Sequence, residues 1–392
     1  MYPDYIDKII TRLEAAGERA YIVGGSLRDA LLGIIPHDYD VTTSALPDVT
    51  ARVFSDMRVI ETGIKHGTVT VIFDGEPVEI TTFRIDGSYT DSRHPDGVTF
   101  TSDIVADLAR RDFTINAMAY NKADGLVDPF GGAKDAKRGI IRAVGNPEDR
   151  FREDALRIMR AFRFSAQLGF EIESATLAGA SAAAGGLENI ARERIGNEFI
   201  RLITSEHPRA ALELMVATDT LKYALGDYVP PRLVIENIEA MPCADVARLG
   251  FLLCALERTQ AESVLKGLRC SGKQITGALA VLTGSGEAVS SAADARRLIS
   301  RTGIYAPYAA AASHLRGNSC PQAQSITELQ ASAPCRLQDL KINGKVLAEM
   351  GVRGKLIGEI LDHLMQAVIA DPTLNQESTL VAMAGRYLSE LS

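Results

Sequence analysis

No run of about eighteen consecutive apolar residues occurs in the chain, which excludes an ordinary membrane-spanning helix. The start, MYPDYIDKIITRLEAAG, is broken by charges and reads as an amphipathic helix near residues 4–16, not as a secretory signal. The expected location is therefore the cytoplasm, with no membrane partner. Cysteine is scarce: Cys243, Cys254, Cys270, Cys320 and Cys335 show no CxxC spacing, so reduced, mostly buried thiols are expected instead of disulfides or zinc. The 6 histidines form no HxxxH pair, which removes the commonest helical zinc pattern. Positive charge is also in deficit. A net charge of −8 argues against a protein coated in nucleic acid along its length, while leaving room for a local groove.

What remains is an ordinary composition, 46% hydrophobic and 23% charged, in 392 residues, enough for two or three domains. The basic residues are concentrated in places. Residues 1–150 hold 17 Lys and Arg against 24 Asp and Glu, whereas the segment Lys341 to Lys355 holds Lys341, Lys345, Arg353 and Lys355 against Glu349 alone. Such clustering suits a partner gripped at a few phosphates, and it also suits a solvated helix face.

The segment Tyr21 to Thr43, YIVGGSLRDALLGIIPHDYDVTT, is the densest in chemistry. Tyr21 to Val23 reads as a short buried strand, Gly24-Gly25 as a tight turn, and Ser26 to Leu32 as a helix closed by Gly33. Glycines ahead of a helix let the backbone approach an anion, and the helix start, the Ser26 hydroxyl and the Arg28 guanidinium can meet a triphosphate there. The P-loop lysine is missing, so the loop takes its meaning from the acidic residues a few positions further along the chain. Asp38-Tyr39-Asp40 leads into the strand-like Val41-Thr42-Thr43, where residues i and i+2 share a face. Two carboxylates held side by side repel one another unless a cation sits between them. Mg²⁺ bound with a nucleotide phosphate suits that arrangement.

Three further segments bear on the same chemistry. Glu79, in VEITTFR, alternates with the apolar Val78 and Ile80 and is a candidate third acid. In RRDFTINA, Arg110 and Arg111 suit phosphates, and Asp112 and Asn116 suit ribose hydroxyls. A helix is expected over Glu153 to Phe164, with Ala155, Ile158, Met159 and Phe162 on one face and Asp154, Arg157, Arg160 and Arg163 across the other. Three arginines without a lysine favour a geometric role, because guanidinium offers a planar fork of donors. A carboxylate beside a guanidinium can read a base: the acid accepts from the exocyclic amine of cytosine or adenine, and the arginine donates to the neighbouring ring acceptor.

The first 150 or so residues alternate β-rich runs with helices, with strands expected at Arg58 to Glu61, Thr68 to Phe73, Val78 to Arg84 and Val98 to Thr101. The polar stretch Asp86 to Asp96 reads as a mobile loop or lid. Beyond Pro147 the pattern is helical, and the small-residue segment Ser174 to Gly186 needs no special function.

In this order the motifs GGSLRDALLG, HDYDVTTSALP, VEITTFRIDGSYTDSRHPDGVTF, RRDFTINAMAYN, DPFGGAKDAKRGIIRAVGNPEDRFREDALRIMRAFRFSAQLGFEIE and ARERIGNEFIRLI resemble the bacterial class II tRNA nucleotidyltransferases, the CCA-adding enzymes, which belong with bacterial poly(A) polymerases. The resemblance runs from about residue 20 to 203. It implies an α+β fold: an N-terminal nucleotidyltransferase head with a small mixed sheet over residues 1–145, then an all-α neck over 146–204, body over 205–325 and tail over 326–392. It implies CCA addition to the 3′ end of tRNA from CTP and ATP, with release of pyrophosphate and two Mg²⁺ ions held by Asp38 and Asp40, Glu79 being the third acid. It assigns Gly25 and Arg28 to the triphosphate, Arg111 and Asp112 to the incoming nucleotide's phosphate and ribose, and Asp154 and Arg157 to selecting CTP and then ATP, with Arg160 and Arg163 supporting them and the phosphates. The acceptor end of tRNA is the implied partner, with Lys341, Lys345, Arg353 and Lys355 in the tail, and no obligatory protein partner. An A-adding enzyme or poly(A) polymerase of the same family, or a catalytically silent RNA-binding relative, remain the rivals. The loop Asp86 to Asp96 weighs against a CC-only enzyme. The motif ARERI has Ala191 where relatives usually carry a serine, and Val352-Arg353-Gly354-Lys355 stands where relatives often have a proline-rich turn.

Overall fold

The computed structural model describes residues 2–36, 38–64, 67–87, 98–320 and 323–391. They divide into two compact units, Met1–Ala224 and Leu225–Ser392. The loop expected over Asp86 to Asp96 lies outside the described residues from position 88 onward.

The first unit is built on a 7-stranded mixed sheet. Its strands are β1 (Ala20–Val23), β2 (Asp40–Thr43), β3 (Arg58–Ile60), β4 (Thr68–Phe73), β5 (Glu76–Thr82), β8 (Ala119–Asn121) and β9 (Gly125–Val127), in the order β3-β4-β5-β2-β1-β8-β9. Between β5 and β8 a separate antiparallel pair forms from β6 (Arg84–Asp86) and β7 (Val98–Phe100). The single strand expected over Val78 to Arg84 is thus broken at Phe83, whose side chain is fully buried. In the main sheet only β2 and β5 run parallel, and their register sets Asp40 opposite Glu79.

Strand alternation divides β1 between two cores. Ala20 and Ile22 pack with Ile6, Ile9, Ile10 and Leu13 of helix α1 (Asp4–Ala15), whereas Tyr21 and Val23 pack with Phe83, Ile104 and Leu108. The apolar stripe of α1 recurs at i, i+3, i+4 and i+7, which is why this short helix docks. With both faces covered, every residue of β1 is buried, and the chain leaving the strand can go only to its end. Helix α2 (Gly24–Leu31) starts there, and Gly24 adopts φ +73°, a conformation in which glycine is at home.

The remainder of the first unit is mainly helical. Helix α6 (Pro147–Glu153) is capped by the Asn146 side chain, which accepts from the Asp149 N–H, with Pro147 at the first helical position. Helix α7 (Leu156–Leu168) ends at Gly169 in the left-handed conformation. Helix α9 (Arg192–Ile203) buries Ile195, Phe199, Leu202 and Ile203 and packs along α7.

The second unit is helical throughout its described residues. The helices Asp245–Leu252 and Gly272–Gly284 lie close because Gly250 leaves no room: a Cβ there would stand 2.6 Å from the Ala278 carbonyl oxygen. Further along, Leu347, Ile360, Leu364, Val368, Leu380 and Ala384 form a separate apolar core. No helix among the described residues is long and apolar enough to cross a membrane.

Candidate active site

A cleft of about 840 Å³ in the first unit is lined by Gly24, Gly25, Arg28, Asp38 and Asp40 from the β1–β2 region, by Arg110, Arg111, Asp112 and Asn116, and by Asp154, Arg157, Arg160 and Arg163. The segments that carry the expected chemistry therefore meet in one place, although about 110 residues separate Asp40 from Asp154 along the chain. Glu79 is placed beside it: a smaller recess that shares Asp40, Arg110 and Arg111 with the cleft is also lined by Glu79, Thr42, Thr68, Thr81 and Arg84.

Like charge gathers on Asp40. Asp40 is open to the cleft, yet burial by the surrounding protein, with Asp38 and Glu79 as like charges, pushes its pKa up to about 6, against the pull of Arg111. No group of three or more His, Cys, Asp or Glu among the described residues is arranged to cage a metal. Two open carboxylates are nevertheless the donor set that Mg²⁺ uses when phosphates complete its shell. The glycine loop suits the same ligand: a Cβ at Gly24 would stand 3.3 Å from Arg111 Nη1 and 3.7 Å from Asp40 Oδ2, so the bare backbone keeps this corner open. Arg111, which also lines the cleft, has its Nε buried without a hydrogen-bond partner among the described residues.

Behind this corner a chain of charge-assisted bonds fixes the guanidinium groups. Arg28 donates to Asp29 and, at 2.9 Å, to Asn116 Oδ1. Asn116 Nδ2 donates to Asp112 Oδ1 at 3.2 Å, and Arg160 grips Asp112 Oδ2 through Nε at 2.7 Å and Nη2 at 2.5 Å. Burial alone would raise the Asp112 carboxyl, but Arg160, Asn116 and Arg157 outweigh it and hold the pKa at about 2. Arg163 binds Glu198 of α9 at 2.5 Å. Phe164 sits among these cations, with the guanidinium carbons of Arg28, Arg160 and Arg163 at 5.3, 5.2 and 4.1 Å from its ring centroid. The ring meets Phe113 edge-on at 5.8 Å, which fixes its tilt.

Several expectations need correction. Ser26 does not reach the cleft: it is buried and its hydroxyl donates back to the Val23 carbonyl at 3.1 Å, as expected of a serine in a helix's first turn. Asp112 and Asn116 do line the cleft, but Asp112 is held by four donors, two on each oxygen, so a ribose hydroxyl finds no unused lone pair on it. The helix expected over Glu153 to Phe164 is two helices. Asp154 lies in the break with extended backbone (φ −141°, ψ 102°), and its Oδ1 accepts from the Leu156 N–H at 3.0 Å. Asp154 therefore does not pair with Arg157, which donates to Glu153 Oε2 at 2.7 Å and to the carbonyls of Arg150 and Arg110, both at 3.1 Å. Nor is the arginine side of this segment a solvated face, since Arg157 and Arg163 are both buried.

Sequence reading missed Glu153, which holds Arg157, and among the cleft's lining Phe164 and the wall contributed by α9: Arg194, Asn197, Glu198 and Arg201. These four recur at i, i+3, i+4 and i+7, the helical stripe that is sought in apolar residues and is equally diagnostic in polar ones. In the second unit Lys341, Lys345, Arg353 and Lys355 are all exposed.

Two open carboxylates at the start of the central strand, a helix opened by two glycines and an arginine-lined cleft define a nucleotidyltransferase. Comparisons narrow the class. Residues 20–142 match the Poly A polymerase head domain, residues 169–229 match a model described as "Probable RNA and SrmB- binding site of polymerase A", and residues 247–384 match a tRNA nucleotidyltransferase domain 2. The chain is 37% identical over 390 residues to the CCA-adding enzyme of Limosilactobacillus fermentum, covering 97% of this chain and 96% of that one. It is 38% identical over 381 residues to that of Lacticaseibacillus paracasei, with 96% and 94% covered. In structure it is similar to the Bacillus stearothermophilus CCA-adding enzyme in complex with CTP, with TM-score 0.84, 31% identity and coverage of 100% and 99%. The chain belongs to the CCA-adding enzyme family.

Proposed function

We propose that this protein adds C, C and A in turn to the 3′ end of tRNA, taking CTP and ATP and releasing pyrophosphate at each step. The observation that carries the reading is the single cleft in which Asp38 and Asp40 face the same space as Asp154 and Arg157. Family membership supports it, with 96% and 94% of those two relatives covered.

In this reading the triphosphate lies against Gly24, Gly25, Arg28 and Arg111, where an open backbone and fixed guanidinium groups offset its charge. Asp38 and Asp40 would hold Mg²⁺, two ions by this reading, whose chemistry is to lower the pKa of the attacking 3′-hydroxyl and offset the charge of the departing pyrophosphate. Glu79, opposite Asp40 in the sheet, tunes that corner from the adjoining recess. Arg160 and Arg163, locked by Asp112, Glu198 and Phe164, stay fixed as charge moves during transfer, so the site does not have to reorganise. Asp154 accepts from the exocyclic amine of cytosine or adenine, and Arg157 donates beside it once it leaves one of its present acceptors. Uracil and guanine carry a carbonyl where that amine would be, and two acceptors facing each other repel.

We further assign residues 1–145 to the catalytic head, 146–204 to a base-selecting neck, 205–325 to a body and 326–392 to a tRNA-binding tail. Exposed Lys341, Lys345, Arg353 and Lys355 would contact tRNA phosphates there. The test is incubation with Mg²⁺, labelled CTP or ATP, and tRNAs ending before CCA, after C or after CC. Both nucleotides should be incorporated in order. Addition of A to the CC-ended tRNA alone would transfer the chain to the A-adding enzymes, and an A tail on any RNA end would make it a poly(A) polymerase.

A further inference from the structure

Helix α9 presents Arg194 to the cleft beside Asp154, a residue to which neither the sequence motifs nor the assignment above gives a role. Its Nη2 stands 3.7 Å from Asp154 Oδ2, on the side of the carboxylate opposite the Leu156 N–H that holds Oδ1. One oxygen of the acid is thus held by a backbone donor in the α6–α7 break, and the other faces a cation from a third helix at ion-pair distance. Arg194 Nη1 is buried yet has no hydrogen-bond partner among the described residues. A buried guanidinium N–H without an acceptor is disfavoured, and in a ligand cleft the natural acceptor is an atom of the ligand.

The contrast with Arg157 is chemical. Both Arg157 terminal nitrogens already donate, to Glu153, to the Arg150 carbonyl and to the Arg110 carbonyl, so it reaches a base edge only by breaking a bond. Arg194 needs no such exchange. We propose that Arg194 is a specificity-determining residue of the cleft: it sets the orientation of the Asp154 carboxylate and donates from Nη1 to the incoming nucleotide, beside the amine that Asp154 accepts. A base with a carbonyl in place of the amine then meets a carboxylate that cannot turn away. Without Arg194, Asp154 can rotate off Leu156 and the refusal weakens. The inference rests on the proposed nucleotide chemistry of this cleft, in which Asp154 faces the base.

The test compares wild type, Arg194→Met and Arg194→Lys in two measurements. The first is equilibrium binding of CTP, ATP and UTP to the full chain without tRNA, beside a thermal melt. The second is kcat and KM for CTP and for mis-added UTP on tRNA lacking CCA. Losing one charge-assisted donor predicts CTP and ATP binding weakened by about 10-fold or more in Arg194→Met. The UTP-to-CTP ratio should rise, chiefly through KM, with the melt unchanged. Arg194→Lys should restore Asp154 orientation and UTP refusal in part but not the Nη1 contact, because an ammonium is a point charge without the fork. Unchanged nucleotide binding and unchanged UTP refusal in a folded Arg194→Met would overturn the inference. So would a uniform loss for all three nucleotides that Arg194→Lys fully restores, which marks a charge effect alone. Should Arg194→Met not fold, Arg194→Lys decides, since wild-type CTP binding there would equally remove the Nη1 donor. Wild-type chain that incorporates neither CTP nor ATP would fail the proposed function itself, a result separate from either variant.

Discussion

Buried arginines serve opposite purposes in the two units. In the first, the buried Arg157 and Arg163 and the half-buried Arg160 are held by carboxylates, Glu153, Glu198 and Asp112, around an open cleft, with Arg157 bonding two carbonyls besides. In the second, Arg248 donates to the Met241 carbonyl at 3.1 and 3.2 Å, and Arg296 donates to the carbonyls of Ile369 and Ala370 at 2.6 and 3.2 Å. A carbonyl-bound arginine ties one helix end to another element and needs no ligand. An arginine held by a carboxylate at the wall of a cleft keeps its charge in place for something that arrives. Burying ion pairs is a poor route to stability, because desolvation offsets much of the attraction. A cluster of them around a cavity is therefore better explained by what the cavity binds.

The largest effect separating the units should come from Asp38→Ala. Turnover should fall by about 10³-fold or more, the scale expected when metal-assisted stabilisation of transferring phosphate is removed. The melting temperature should not drop, since Asp38 is exposed and adds to the repulsion at Asp40. Retained turnover would detach the acidic corner from the chemistry. Next is Asp112→Asn, which strands Arg160 and should cost roughly 3–5 kcal/mol in the first unit, read by denaturant unfolding. Its pH signature has a definite sign. Because the folded pKa is held down to about 2, this stabilisation is complete above the unfolded value and fades as pH falls from about 4 through 2, so the variant should lose less stability than wild type in that window.

Arg248→Met should cost about 1–3 kcal/mol through unmet carbonyls, with KM for CTP unchanged; a shifted KM would undo the contrast between the two arginine uses. Phe164→Leu keeps an apolar volume but loses a ring under three cations, so KM for both nucleotides should rise by about 5-fold, and Phe164→Tyr should restore it. Smallest is replacement of Lys341, Lys345, Arg353 and Lys355 by glutamine. Nucleotide KM should hold, and the salt dependence of tRNA binding should flatten by up to about 0.7–0.9 in slope for each phosphate no longer neutralised. An unaltered slope would remove these residues from the interface.

Local chemistry was legible where one segment carries its own reasons. The apolar stripe of α1, the alternation in β4 and the helix that follows Val23 depend on neighbours in sequence, and each formed near its expected bounds, although Gly24 and Gly25, expected as a turn ahead of the helix, form its first two residues. Ser26 misled because a hydroxyl in a helix's first turn has a carbonyl three residues back within reach, and nearby backbone outcompetes a distant ligand. The break at Asp154 was hidden because Glu153 to Phe164 has a helical pattern without proline or glycine, while an aspartate that caps Leu156 can stop one helix and start the next.

The sequence by itself determined the class of chemistry, since Gly24-Gly25, Asp38 and Asp40 carry it within seventeen residues, and it determined the family through the order of its motifs. Tertiary structure alone decided which charges neutralise which. Arg160 chose Asp112 over Asp154, and α9 supplied Glu198 to Arg163 and Arg194 to Asp154. The reason is distance: an ion pair falls off with separation and orientation in space, and neither is fixed for residues 35 to 48 apart until the helices between them pack.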